Sequence, residues 1–418
     1  MAEAQLAAIA ERARASELDR APEVTAITDW IVQQGLLRVD FGTLLEGFCE
    51  RMIDLGVPIW RGYISARTLH PTVRGTGCSW RAGEGTRKEL YIHEEVESEE
   101  FLRSPFRHML AQHQLRMRLR LAEMAAVDFP VVERLRGEGG TDYLAHIVGF
   151  GVDGQLGKKN TGVLASWTTR HPRGFSSREL ALLDHMMPRL ALALSARLGH
   201  EITVNLLDTY VGPEAGRRIL DGEIRRGMLQ VISAVIFYAD LRGFTSIADN
   251  HGRHEMVAML NDYFDCVVPV VAAHGGQVLK FLGDGLLATF PLEDHCAAAA
   301  SERALDAAAE ALGCVRELNG QRVATGRPIM DLDIVLHLGE LVYGNVGSAD
   351  RLDFTVIGPA VNEAARIEAL CAQHGLNLLV SEAFASSATR SADRLVSIGR
   401  FVLRGVRTAQ SIYTLDGL

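Results

Sequence analysis

Apolar residues recur along this chain with two different periods, and the changes between them mark out its elements. From Ile27 to Leu55, "ITDWIVQQGLLRVDFGTLLEGFCERMIDL" returns an apolar residue every three or four positions, which predicts helix. The stretches "IWRGYISA" and "ELYIHEEV" shift toward strand composition and are separated by the turn-rich "RGTGCSWRAGEG". "LRMRLRL" alternates arginine with apolar residues, as a half-exposed strand does. "SSRELALLDHMMPRLALALSARLGHEITVNLL" then opens with a capping box, Ser176 with Glu179, and repeats Leu180, Leu183, Met187, Leu190 and Leu194. This predicts a long helix kinked at Pro188. Its apolar stripe suits a dimerising, signal-carrying stalk, the alternative being a helix packed on its own domain.

The second half alternates between patterns. "VISAVIFYAD" is an apolar strand, "RHEMVAMLNDYFDCVVPVVAAH" an amphipathic helix stopped by Gly275 and Gly276, and "QVLKFLGDGLLATF" two short strands around a Gly-Asp-Gly turn. The helix "HCAAAASERALDAAAEALGCVREL", the strands "LDIVLHLGEL" and "FTVIG", and the helix "AVNEAARIEALCAQHG" complete a β-α-β-β-α-β order, that of a ferredoxin-like core. All four tryptophans (Trp30, Trp60, Trp80, Trp167) lie in the first 170 residues, which favours two separately built cores. The chain divides into residues 1–175, a helix and connector at 176–228, and residues 229–418.

Two acids stand out against this pattern. Asp240 ends the apolar strand of "VIFYADLRGFTS", and Asp284 sits in the Gly-Asp-Gly turn. A right-handed crossover makes the strand before that turn parallel to the Asp240 strand, bringing both acids to one sheet edge. Facing carboxylates repel unless a cation lies between them, and a hard divalent ion such as Mg²⁺ fits such a pair. Taken singly, the acids could equally be a helix N-cap and a turn former. Gly243, Phe244 and Thr245 open the next helix, where free N–H groups attract anions, and Arg242 adds charge nearby.

The motifs "FYADLRGFTSI", "GGQVLKFLGDGLLATF", "HLGELVYGNVGSADRLDFTVIGPAVNEAARIEA" and "RFVLRGV", over about residues 230–416, resemble the catalytic domain of class III nucleotidyl cyclases, specifically bacterial adenylate cyclases of the IIIb type. The resemblance implies that Asp240 and Asp284 bind two Mg²⁺ or Mn²⁺ ions and that Lys280 and Thr355 read the adenine. It implies further that Asn362 and Arg366 serve the transition state and that Arg404 meets the pyrophosphate. The substrate would be ATP, the products cyclic AMP and pyrophosphate, and the working unit a homodimer with metal acids from one chain and the other residues from its partner. Lysine as donor to a ring nitrogen and threonine as acceptor from an amine favour adenine over guanine. Pro359, Asp333 and Glu340 depart from the common pattern. The first segment resembles the GAF-like sensory domains found ahead of cyclases, and "VPIWRGYISARTLHP" is similar to N-terminal regions of rhizobial-type cyclases. The implied fold is thus α/β (α+β), a GAF-like mixed domain and helical stalk before the cyclase domain.

Composition narrows the partners. With 43 Lys+Arg against 52 Asp+Glu the net charge is -9, so neither nucleic acid nor an anionic membrane is an expected partner. Six scattered cysteines without a C-x-x-C pair suggest no zinc cluster or disulfide framework, and the charged N-terminus carries no secretory h-region, so a cytoplasmic location is expected. Trp60, Trp80, His70 and Cys78 are candidate pocket or haem residues, core and structural roles being the simpler reading. The first segment is expected to answer to a small molecule or other signal whose identity the sequence does not show. The alternatives in function are guanylate cyclase activity and a non-catalytic cyclase-like sensor.

Overall fold

The computed structural model describes residues 20–93, 98–124, 128–150, 162–244, 247, 252–292, 296–406 and 408–417. It divides into two compact units, Met1–Thr209 and Tyr210–Leu418.

The first unit begins with two helices, α1 (Pro22–Leu37) and α2 (Phe41–Asp54). The apolar period runs on through Leu55, yet the helix breaks between them. Arg38 turns left-handed at φ 51°, and Asp40 caps α2 by accepting from the amides of Gly42 and Thr43. Six strands follow: β1 (Arg61–Arg67), β2 (Val73–Arg81), β3 (Gly85–Ile92), β4 (Arg116–Leu119), β5 (Asp142–Gly149) and β6 (Gly162–Thr169). They form an antiparallel sheet in the order β3-β2-β1-β6-β5-β4, so the alternating arginines of "LRMRLRL" lie on an edge strand. Alternation divides its faces. Ile64, Leu144, Ala165 and Trp167 pack into a core with α1, α2 and the long helix α6 (Ser177–Val211). Tyr143, Ala145 and Ile147 point the other way, toward the short helices α3 (Glu99–Leu102), α4 (Pro105–Ala111) and α5 (Pro130–Gly137).

The capping box forms as the sequence predicts: the Ser176 amide donates to Glu179 at 2.7 Å, and the Glu179 amide to Ser176 Oγ at 3.4 Å. The apolar stripe of α6 has a different use from the expected one. Leu180, Leu183, Met187, Leu190 and Leu194 are all buried in the first unit's own core, so this stripe faces its own sheet rather than a second chain. Trp80 and Cys78 belong to the same core, Trp60 to the smaller one, and His70 accepts from the amides of Thr72 and Val73 in its own turn. None of the four is placed as a ligand.

In the second unit α7 (Pro213–Leu220) precedes β7 (Leu229–Arg242), α8 (Arg253–Ala273), β8 (Gln277–Leu282), β9 (Gly285–Pro291), α9 (Ala297–Ala324) and β10 (Asp331–Gly347). β11 (Leu352–Ile357), α10 (Pro359–His374), β12 (Leu378–Ser381), α11 (Glu382–Ser387), β13 (Leu395–Phe401) and β14 (Gln410–Leu415) complete it. The eight-stranded sheet runs β13-β14-β12-β10-β7-β9-β8, with β11 paired to β10. Its segment β10-β7-β9-β8 carries the expected ferredoxin-like order. β8 is parallel in direction to β7, as the crossover requires, but β9 lies between them.

Alternation along β7 decides where the chemistry goes. Val235, Phe237, Ala239 and Leu241 enter the core under α8 and α9, whereas Ala234 and Ile236 join the core under α7 and α10. Asp240 shares the parity of the second set, and so it emerges on the α10 side. Helix α8 is apolar and long enough to cross a membrane by length and composition, but Met259, Tyr263, Val267 and Val271 are buried in this core, as in the core helix of a folded domain.

A buried ion pair anchors the first unit. The wholly buried Asp142 carboxylate accepts from Arg118 Nη2 at 2.6 Å and from the Phe175 amide at 2.9 Å. Removing the cation alone strands a buried charge, so Arg118→Met should cost about 3–5 kcal/mol in denaturant unfolding of the first unit. A cost of about 1 kcal/mol or less, the scale of an exposed pair, would contradict this account.

Candidate active site

The turn between β8 and β9 is two residues long. Leu282 pairs with Gly285, leaving Gly283, at φ 72°, and Asp284 to make the reversal. β9 runs beside β7 with Ala239 opposite Leu286, so Asp284 arrives next to the Asp240 end of β7. Gly285 makes this approach possible. A Cβ there would lie 2.6 Å from Asp240 Oδ1 and 2.6 Å from the Ala239 carbonyl oxygen, a distance no side chain tolerates. Two acids 44 residues apart in the chain thus share one sheet edge.

The neighbourhood is strongly acidic. Asp333 on β10 stands directly opposite Asp240 in the strand register, and Glu368 on α10 adds a further carboxylate. Burial, then Asp284 and Asp333, push the Asp240 carboxyl up from its ordinary 3.8 to about 6. Burial, then Asp240 and Asp333, push Glu368 up to about 7, against the pull of Arg242. Arg242 does not extend toward a phosphate as the sequence suggests. Its Nε donates to Asp333 Oδ2 at 2.8 Å, a second donor, Nη2, reaches Asp333 Oδ1, and Nη2 also donates to the Leu376 carbonyl oxygen at 3.0 Å. Asp333, a departure from the family pattern, therefore holds this guanidinium. No cation is among the groups that act on Asp240.

Hard, crowded oxygen donors of this kind fit Mg²⁺ or Mn²⁺. Among the described residues no three or more His, Cys, Asp or Glu side chains form a complete metal cage. Mg²⁺ takes one or two carboxylates and completes its shell with water and substrate phosphate. Beside the acids, Gly243 turns at φ 87°, and Phe244 begins a helical segment while packing against the core under α8 and α9. Thr245 lies outside the described residues.

The other residues gather elsewhere in the unit. Lys280, exposed on β8, forms an ion pair with Asp353 on β11, two positions before Thr355 and on the same strand face. A cation is thereby set against the strand that carries the Thr355 hydroxyl. Asn362 and Arg366 lie one turn apart on α10, and the Arg366 guanidinium approaches Gly405, at 3.5 Å from where its Cβ would be. Exposed Arg404 occupies the same loop. Pro359, another departure, takes the first turn of α10, where a missing N–H costs nothing. Glu340 is exposed on β10 opposite Ser233.

Asp353 and Glu368 are the residues that motif reading passes over. Glu368 had a faint signal: it follows Ile367 and lies four residues after Ala364, at the margin of the buried Ala364, Ile367 and Cys371 stripe. Asp353 had none, because its partner is 73 residues away.

Residues 229–417 match the family of the adenylate and guanylate cyclase catalytic domain. The adenylate cyclase of Anabaena cylindrica is 37% identical over 151 residues, covering 35% of this chain and 29% of that protein. Adenylate cyclase 1 of Rhizobium meliloti (strain 1021) is 32% identical over 191 residues, covering 43% of this chain and 27% of that protein. The chain thus matches less than a third of the length of either relative. Among solved structures, the adenylyl cyclase CyaB from P. aeruginosa is 23% identical with a TM-score of 0.40, over 45% of this chain and 95% of that one. Residues 229–417 belong to the class III adenylate and guanylate cyclase catalytic domains.

The acid cluster makes a prediction with a definite sign. Because the folded-state pKa of Asp240 lies above its ordinary value, the metal-free unit loses stability as pH rises from about 4 to about 6, where the charge is forced to form. A divalent ion binds the ionised pair and opposes this loss. Mn²⁺ should therefore raise Tm more at about pH 7.5 than at about pH 5.5, and Asp240→Asn should abolish the difference. Equal shifts at both pH values, or a shift that survives the substitution, would overturn the metal assignment.

Proposed function

We propose that this chain is an adenylate cyclase that converts ATP into 3′,5′-cyclic AMP and pyrophosphate, as a homodimer with two shared sites and Mg²⁺ or Mn²⁺ at Asp240 and Asp284. The observation that carries the choice of base is the meeting of Lys280 with the Asp353–Thr355 strand. An ammonium donates to the unprotonated ring nitrogen of adenine, and the Thr355 hydroxyl accepts from the exocyclic amine; guanine presents an N–H where the ammonium needs an acceptor. Asp353 holds Lys280 in position without occupying the face of a base. Both curated relatives described above are adenylate cyclases, which supports the same reading.

The reaction is an in-line displacement in which the ribose 3′-oxygen attacks the α-phosphorus, loses its proton to solvent, and expels pyrophosphate. Bound divalent ions supply Lewis-acid stabilisation of the phosphate charge and lower the pKa of the attacking hydroxyl. Asn362 orients the ribose, Arg366 stabilises negative charge developing at the α-phosphate, and Arg404 meets the leaving pyrophosphate. Gly243 and Phe244, with Thr245, form the phosphate-facing turn after β7.

The dimer reading rests on charge. Among the described residues no cation is among the groups that shift Asp240, while Lys280, Arg366 and Arg404 lie on other elements of the unit. A second chain that offers those cations across an interface completes the site. In this reading residues 1–175 form a GAF-like regulatory domain, residues 176–228 a signalling helix and connector, and residues 229–418 the catalytic domain. Since ATP is a cytosolic nucleotide, the same reading places the catalytic domain in the cytoplasm.

Purified protein with Mn²⁺ should form cyclic AMP from ATP in large excess over cyclic GMP from GTP, and Asp240→Ala should form neither. A preference for GTP, or no cyclic product from either nucleotide, would refute the proposal. Asp240→Ala and Arg366→Ala chains, each inactive, should recover about a quarter of the wild-type rate when mixed, because random pairing makes half the dimers mixed and each mixed dimer keeps one intact site. No recovery would rule out shared sites.

A further inference from the structure

The first unit contains an open-sided cavity of about 1170 Å³ between its sheet and the short helices α3 and α4. It is separate from every residue of the cyclase reaction. Strand alternation builds its floor. Arg61, Tyr63 and Ser65 project into it from β1, and Leu164 and Ser166 from β6, while the intervening Ile64 and Ala165 serve the main core. Phe101, Phe106 and Leu110 on the helices give it an apolar wall.

Arg61 is the anomaly. It is 9% exposed, yet no carboxylate forms an ion pair or hydrogen bond with it among the described residues. The Tyr63 ring lies 5.3 Å from the guanidinium carbon, and Tyr143 is a second tyrosine near enough to act on it. A ring face attracts a cation more weakly than burial penalises it, and burial indeed pulls the Arg61 pKa down. The acid that might have paired with it is engaged elsewhere. Glu89 accepts from Tyr91 Oη at 2.7 Å and from Ser79 Oγ at 3.3 Å, and the Tyr91 and Tyr63 hydroxyls share a hydrogen bond of 2.6 Å. Other arginines in this unit are matched: Arg118 has Asp142 and Arg173 has Glu179. Among the described residues, then, a buried cation stands at the floor of a cavity with Glu89 acting on it electrostatically but no acid in ion-pair contact.

We propose that this cavity binds a small organic monocarboxylate, its carboxylate on Arg61 and its aromatic or aliphatic body against Phe101, Phe106 and Leu164. A guanidinium takes a carboxylate through two parallel donors, and of the cations lining the cavity Arg61 alone is buried, Arg67, Arg87, Lys88, Arg107 and Arg134 being exposed, so the floor matches a single negative charge. Ser65 and Ser166, hydrogen-bonded to Tyr63 and Tyr143, lie at the same depth and keep the floor polar. The apolar wall supplies the burial that most of a ligand's affinity requires.

The test uses the full chain and reads binding, so it is independent of whether the second unit makes cyclic AMP. A panel of monocarboxylates from benzoate and phenylacetate to octanoate and dodecanoate is titrated by calorimetry and by Tm shift. Each is compared with its primary amide, and phenyl phosphate is the dianionic control. At least one carboxylate should bind, its amide should bind at least about tenfold more weakly, and Arg61→Met should weaken the acid by about tenfold or more. Leu164→Trp, which fills the cavity from its apolar wall and leaves Arg61 in place, should block binding in a chain whose folding is checked independently. Absence of binding across the panel would overturn the proposal. So would equal affinity for acid and amide, undiminished binding in a folded Arg61→Met or Leu164→Trp chain, or tighter binding of phenyl phosphate.

Discussion

The second unit is organised around an excess of negative charge that its own fold does not neutralise. Asp240, Asp284, Asp333 and Glu368 converge where β7 lies between β9 and β10, and the neighbouring guanidinium, Arg242, is committed to Asp333. Carboxylates brought this close raise one another's pKa and resist ionisation unless a cation is added. The cost is accepted because strand register forces it. Gly285 brings β9 against Asp240 more closely than any other residue could, and shifting β7 by one position would turn Asp240 into the core under α8 and α9. The departures from the family pattern make sense within this frame: Asp333 immobilises Arg242, and Pro359 starts the helix that carries Glu368, Asn362 and Arg366.

Recognition of the base depends on a different geometry. Lys280 and Thr355 come from strands that are not neighbours in the hydrogen-bonded order, and the Asp353 carboxylate holds the ammonium beside the threonine strand. The acid cluster at one place and the cations at others divide the unit chemically, an arrangement that suits a site completed by a second chain.

The first unit solves a packing problem and leaves a polar one open. One face of its sheet is closed by α1, α2 and α6, where Gly62 lets β1 approach so closely that a Cβ would lie 2.7 Å from Cys49 Sγ. The opposite face is only partly covered, and its cavity keeps a buried arginine unmatched. In a unit that meets the buried Asp142 carboxylate with Arg118, such an exception is the mark of a place kept for a ligand.

Much of this was readable from sequence. Hydrophobic period determined the helix and strand types and the β-α-β-β-α-β order, while residue type at Ser176 and Glu179 gave the capping box and crossover handedness the approach of Asp284 to Asp240, because these follow from local backbone geometry and chain chirality. The break at Arg38–Asp40 was hidden, since a capping aspartate interrupts a helix without disturbing the apolar period on either side. Only the tertiary structure decided that the stripe from Leu180 to Leu194 is buried in its own unit, that Arg242 belongs to Asp333, that Lys280 meets Asp353, and that Arg61 is buried without an ion-pair partner among the described residues. Each of these outcomes depends on which residues distant in sequence become neighbours. A repeating pattern states which face of an element is buried, but not what it is buried against, and charge pairing is set entirely by the latter.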